Sequence, residues 1–192
     1  LPIQDVYNIN VQGKSKRISV GKIEAGNIVE GQKVCVLPSN EQARVKSIEK
    51  YNEAKTQAET GECIGIITDK PLFIERGNIV CSTEHRLKVV SSFKASLFWM
   101  SAAAVSMNDK LTLRCSTQEV GCNVIEIFKK IDSSTLEKIE YDLKRLNRLE
   151  VGEVEMRTKK PVIISTISDV QALGRFVLLR DNTIVAGGII AE

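Results

Sequence analysis

Histidine and tryptophan each occur once in this 192-residue chain, and aromatic residues make up 5% of it. The single histidine, His85, sits in the polar stretch Ser82-Thr83-Glu84-His85-Arg86. Nothing there marks a nucleophile with an orienting carboxylate, so a surface linker histidine is expected rather than a catalytic one. The few aromatics are scattered, which disfavours a free-standing carbohydrate- or nucleic-acid-binding barrel, because such a surface clusters aromatics on one sheet face. No apolar run approaches the ~20 residues of a membrane-spanning helix. The five cysteines, Cys35, Cys63, Cys81, Cys115 and Cys122, form an odd set without a Cys-x-x-Cys pair. Neither a disulfide framework nor a zinc site is indicated. Cys35, Cys63 and Cys81 lie in apolar, strand-like runs and are expected as buried reduced thiols, with the cytosol as compartment.

Phosphate-binding signals are also missing. Gly13-Lys14-Ser15 imitates the end of a P-loop, but the glycine required five residues earlier is Asn8, and no amphipathic helix pattern follows. There is no Asp-x-x-Gly for magnesium and no Asn-Lys-x-Asp for guanine. The chain alone is expected to bind no GTP, no other cofactor and no metal, and no catalytic residue is assigned. Charge is nearly balanced, with 27 basic against 24 acidic residues. Neither half concentrates positive charge as a dedicated nucleic-acid binder does. The chain begins at Leu1 with no signal-like segment, which reads as a piece of a longer polypeptide.

What is present reads as nearly all β. Short, turn-bounded runs predict strands over 3–9, 16–24, 33–37, 43–49, 62–68 and 78–81, then 88–99, 110–115, 119–131, 152–158, 162–167, 174–180 and 184–190. Many short strands without βαβ alternation predict closed barrels. The polar connector near Glu84 predicts two of them, over 1–84 and 87–192. In the last hairpin, alternation predicts Val177, Leu179, Ile184, Ala186 and Ile189 inward, with Phe176 and Leu178 on the opposite face. One segment conflicts. Leu136, Ile139, Leu143 and Leu146 recur at helical spacing behind a Ser134/Glu137 capping box, so pattern alone predicts a helix over 135–147.

The cassette Gly21-Lys22-Ile23-Glu24-Ala25-Gly26-Asn27-Ile28-Val29-Glu30-Gly31 through Val34-Cys35-Val36-Leu37-Pro38 resembles the opening of the second domain of translation-factor-type GTPases. Leu173-Gly174-Arg175-Phe176 with Thr183 to Ile190 resembles the closing hairpin of their third domain. The resemblance implies two tandem closed β-barrels, like domains 2 and 3 of elongation factor Tu. It implies strand end and loop over 135–147, and the reading adopted is irregular structure with room for one short helix there. Phe93-Lys94-Ala95-Ser96-Leu97-Phe98-Trp99-Met100, Ile131 to Glu137 and Leu146 to Glu155 are similar to the GTPase subunit of bacterial sulfate adenylyltransferase. The Leu-Gly-Arg-Phe form is closer to elongation factor 1-alpha and its ribosome-rescue relatives.

In the sulfate reading the barrels couple GTP hydrolysis to sulfate activation. Their expected partners are the parent's own N-terminal GTPase domain, which holds GTP and magnesium, and an adenylyl-transferring small subunit. In the alternative, domains 2 and 3 of an elongation-factor-1-alpha-like or ribosome-rescue GTPase, the first barrel docks the end of a tRNA or a factor on the ribosome, and only then is nucleic acid a partner. Candidate partner contacts are Lys14, Lys16 and Arg17, which an exposed hairpin tip explains equally well; Trp99, for which burial between the barrels or in the core is the preferred reading; and Arg175. Lys129-Lys130 and Lys159-Lys160 read as solvated strand ends.

Overall fold

The computed structural model describes residues 1–11, 14–50, 53–85 and 87–191, with backbone alone at Val11, Lys14 and Ala54. The chain divides into two compact units, Leu1–Leu87 and Lys88–Glu192.

Unit 1 carries β1 (Ile3–Val11), β2 (Lys14–Lys22), β3 (Asn27–Val29), β4 (Lys33–Leu37), β5 (Glu41–Lys50), β6 (Glu53–Lys55), β7 (Gln57–Glu59), β8 (Cys63–Thr68) and β9 (Ile79–Ser82). Six of them run β1-β2-β8-β5-β4-β9, and a bridge between Pro2 and Ile79 brings β9 back to the start, closing the barrel. Alternation fills it: Val34 and Val36, Ala43 and Val45, and Ile64 and Ile66 meet Ile3, Ile23 and Val80 in one core. A register shift between Val45 and Ser47 moves the next buried position to Ile48.

The three glycines of the opening cassette serve two needs. Gly26 and Gly31 turn the chain at φ +75° and +83°, where a side chain is strained. Gly21 lies inside β2, where a Cβ would sit 2.2 Å from the Pro2 carbonyl oxygen at the closing seam.

Where β5, β6 and β8 meet, the Glu62 carboxylate accepts from Lys55, from Lys50 at 3.1 Å and from the Glu59 backbone N–H at 2.8 Å. Lys55, the backbone and Lys50, in that order, hold its pKa down to about 2. A depressed carboxylate pKa contributes stability that is present above the unfolded-state glutamate value and is lost as pH falls toward the folded one. The unfolding midpoint of the protein is therefore expected to drop between pH 5 and pH 2 more steeply than that of a Glu62→Gln variant. Parallel curves across that window would contradict the assignment.

Unit 2 carries β10 (Lys88–Trp99), β11 (Val105–Ser106), β12 (Leu111–Cys115), β13 (Gln118–Asp132), β14 (Lys138–Ile139), β15 (Arg145–Leu146), β16 (Glu150–Ile164), α1 (Gln171–Gly174), β17 (Arg175–Arg180) and β18 (Thr183–Ile190). The order β12-β17-β18-β10-β16-β13, with β13 pairing back to β12, closes a second ring. The two strands predicted over 152–158 and 162–167 are one strand, β16. It bulges so that Val90 faces Val162 while Ser92 faces Arg157.

The 135–147 segment is not helical. Asp132 spends its carboxylate on the backbone N–H groups of Ser134 and Thr135, at 2.7 and 3.0 Å, so it, and not Ser134, caps the turn. Leu136 and Asp142 take φ of +61° and +51°, outside the helical range. β14 then pairs with β13 and β15 with β11, so the backbone donors go to ladders. Leu136 is exposed and Leu146 buried, which no single helix face would give.

The closing hairpin also corrects its expectation. Phe176, Leu178, Leu179 and Ala186 are buried, Val177 is half-buried, and Ile184 and Ile189 stand 53% and 47% exposed. A register shift between Leu178 and Leu179 breaks the alternation. Across the ladder the Phe176 ring occupies the space of a Gly188 side chain, whose Cβ would lie 2.3 Å from Phe176 Cζ.

Candidate functional site

Unit 1 holds a cavity of about 470 Å³ lined by β2, β5, the end of β8 and the loop that follows. Four cationic side chains line it: Lys16 and Arg17 from β2, Lys46 from β5 and Lys70 from the loop. The carboxylates of Glu49 and Asp69 lie among them. Both carboxylates have other hydrogen bonds. Asp69 Oδ1 accepts the Arg44 backbone N–H at 2.9 Å, and Glu49 accepts the Ser47 hydroxyl at 2.8 Å. Arg17 donates to the Ile74 carbonyl at 2.6 Å and so fastens β2 to the loop. Lys16, Lys46 and Lys70 are exposed, and among the described residues none of the three makes an ion pair. The floor includes Ile67 and the buried Leu72 and Ile74. Between those two anchors Phe73 is 89% exposed. A groove with surplus positive charge and a phenyl ring held outward beside it suits a phosphate-bearing chain with a stackable face.

The sequence-derived contacts divide accordingly. Lys16 and Arg17 come together in the groove. Lys14 opens β2, but its side chain lies outside the described residues. Arg175 is exposed on β17 of the other unit. Trp99 is not available to a partner: it is 0% exposed inside unit 2, donates from Nε1 to the Ala103 carbonyl at 2.9 Å and lies 5.4 Å below the Arg180 guanidinium. Lys130 is likewise not a solvated strand end. It is 1% exposed and faces Glu150 at 3.4 Å, whereas Lys129 is an exposed partner of Glu153. Sequence reasoning missed Lys46, Lys70 and Phe73. Each is an isolated residue in its own run, and only the fold brings β5 and the 69–74 loop beside β2.

Cys35, Cys115 and Cys122 are buried, Cys81 is half-buried, and Cys63 is exposed, against the burial expected of it. Cys115 and Cys122 are shielded from solvent, and burial also pushes their thiols up to about 12. Among the described residues no cluster of three or more His, Cys, Asp or Glu side chains could hold a metal ion. Lys14 and Ser15 open a strand rather than a helix, so these two residues are not the end of a P-loop. Among the described residues no helix is long and apolar enough to cross a membrane.

Comparison with known proteins agrees with this architecture. Over the whole chain the fold is similar to that in a crystal structure of sup35 complexed with GDP, with a TM-score of 0.89 at 22% identity, covering 100% of this chain and 46% of that one. That likeness shows the two β-barrel fold. Elongation factor 1-alpha of Methanocaldococcus jannaschii is 30% identical over 98% of this chain and 44% of its own length. The oocyte form of elongation factor 1-alpha from Xenopus laevis is 33% identical over 99% of this chain and 41% of its own length. The chain thus spans less than half the length of these relatives. They stand on the elongation factor 1-alpha side of the two resemblances, not with sulfate adenylyltransferase. The Leu173-Gly174-Arg175-Phe176 form that pointed there is where α1 packs so closely that a Cβ on Gly174 would meet Ile167 at 2.4 Å. Residues 92–191 match the model described as GTP-eEF1A C-terminal domain-like, and the chain belongs to that family.

Proposed function

We propose that this chain supplies the two non-catalytic β-barrels of an elongation-factor-1-alpha-like translation GTPase, and that the groove of the first barrel docks RNA through its phosphate backbone. The observation that carries the docking role is the convergence of Lys16, Lys46 and Lys70, which make no ion pair among the described residues, on one cavity with Arg17 fixed at its edge. Ammonium groups neutralise phosphates without reading bases, and Phe73 offers a ring against which an unstacked terminal base can lie. Rigid barrels suit this task, because a groove built on paired strands holds its charges in place without ordering a loop on binding. Nucleotide chemistry would belong to an N-terminal GTPase domain of the parent, which would hold GTP and magnesium there.

The parent protein tests this reading. It is expected to co-sediment with ribosomes or tRNA, and reversing the groove charges with Lys16→Glu, Lys46→Glu and Lys70→Glu is expected to abolish the association while GTP binding persists. Co-purification with an adenylyl-transferring subunit that stimulates its GTPase activity, with no RNA association, would support sulfate activation in its place.

A further inference from the structure

Cys35 on β4 and Cys81 on β9 are directly opposite one another in an antiparallel register that runs from Val34↔Ser82 to Leu37↔Ile79. Opposed residues in such a ladder have Cα atoms about 4.5–5.5 Å apart, inside the range that a disulfide spans. The neighbours Val34, Val36 and Val80 point into the barrel core, so strand alternation sends Cys35 and Cys81 to the outer wall together. There the two thiols differ. Cys35 is buried and donates from Sγ to Asn40 Oδ1 at 3.0 Å, while Cys81 is half-buried and its Sγ donates to the Cys35 carbonyl at 3.6 Å. One thiol of the pair is therefore open to a small reagent, and the other waits against it, shielded. Cys63, the exposed cysteine, lies on β8 with Lys22 as its cross-strand neighbour.

We infer that Cys35 and Cys81 form a dithiol modification site that closes to a cross-strand disulfide by exchange with a small-molecule disulfide. The Cys81 thiol loses its proton and attacks one sulfur of the reagent, giving a mixed disulfide and releasing one equivalent of small thiol. Cys35 in turn loses its proton and attacks the Cys81 sulfur, expelling the second small thiol. Two protein thiols are oxidised, one disulfide is reduced to two thiols, and both protons leave on those thiols. Burial pushes Cys81 up to about 12 and raises Cys35 as well, so the exchange is slow at neutral pH and quickens as pH rises. The closed bond joins β4 to β9 and encloses the chain that builds β5 to β8, restricting the unfolded state.

Incubating the native full chain with oxidised glutathione at pH 8.5, followed by proteolysis and mass spectrometry without reductant, is expected to yield one peptide pair linked through Cys35 and Cys81. The intact mass falls by the two hydrogens lost, apart from any glutathione carried on Cys63. The melting temperature rises by several degrees and returns on addition of a dithiol reductant. Cys63→Ser should leave the link intact, and Cys81→Ser should remove it. In Cys35→Ala the reaction should stop at a glutathione adduct on Cys81. Free thiols at Cys35 and Cys81 while Cys63 is modified, or an adduct on Cys81 that persists in the unsubstituted protein, would overturn the proposal; both readings come from the unsubstituted protein and do not depend on any variant folding.

Discussion

Replacing Glu150 by alanine is expected to destabilise unit 2 by about 3–5 kcal/mol, the usual cost of removing one partner of a buried ion pair. The carboxylate is nearly enclosed. It faces Lys130 Nζ at 3.4 Å and also accepts the Asn147 backbone N–H at 2.8 Å and the Asn147 side-chain amide at 3.0 Å. Without it the Lys130 ammonium retains the Arg145 carbonyl at 3.4 Å and, at 5.8 Å, the face of Tyr141, neither of which neutralises a buried charge. The same change frees the 133–149 excursion, because Asn147 is the point at which it is tied back to β16. Chemical denaturation would show the loss as a lower midpoint. Hydrogen exchange should show protection lost first at Leu146 and Leu149, whose backbone groups bond into β11 and the Trp99 carbonyl. Replacing both partners together, with Lys130→Met and Glu150→Leu, should recover much of the stability, since no charge is then left unpaired. A wild-type midpoint for Glu150→Ala alone would show that the pair is solvated.

Phe176→Ala is expected to cost about 3–5 kcal/mol, as large-to-small changes of buried aromatics do, because the cavity left between β17 and β10 cannot collapse. The ring meets Phe93 edge-on at 5.9 Å between centroids and covers the bare backbone of Gly188. Ile189→Ala, on the neighbouring residue but facing outward, should change stability by less than about 1 kcal/mol. Paired melting curves of the two variants read the difference directly. A loss at Ile189 as large as that at Phe176 would contradict this assignment of the hairpin's inner face.

That hairpin shows where the sequence was legible and where it was not. Strand positions were visible, because turn glycines and β-branched runs mark them locally. Which face points inward was not, because Phe176 to Leu179 is apolar at both parities and the deciding facts lie in a bulge and in Gly188, a residue with no side chain to count. The 135–147 segment failed for a related reason. Its leucine spacing is helical, but Asp132 and the ladders to β11 and β13 compete for the same backbone donors and win through partners distant in sequence. The groove was half visible. Lys16 and Arg17 stood out as a local cluster, whereas Lys46, Lys70 and Phe73 become neighbours only once the β2-β8-β5 order is known. Lys130 reads as a solvated strand end and Trp99 stays open between contact and core, because both types are frequent at surfaces and interfaces, and only burial around β10 and β13 separates a core anchor from a contact.

The salt dependence of RNA binding tests the docking role most directly. A labelled tRNA titrated with the 192-residue chain across a series of salt concentrations should give log K falling linearly with log salt. For a variant carrying Lys16→Ala, Lys46→Ala and Lys70→Ala the slope should be shallower by about 0.7–0.9 per lysine removed. Binding that is absent at low salt, or a slope that the triple substitution leaves unchanged, would contradict the assignment of the groove to a phosphate backbone.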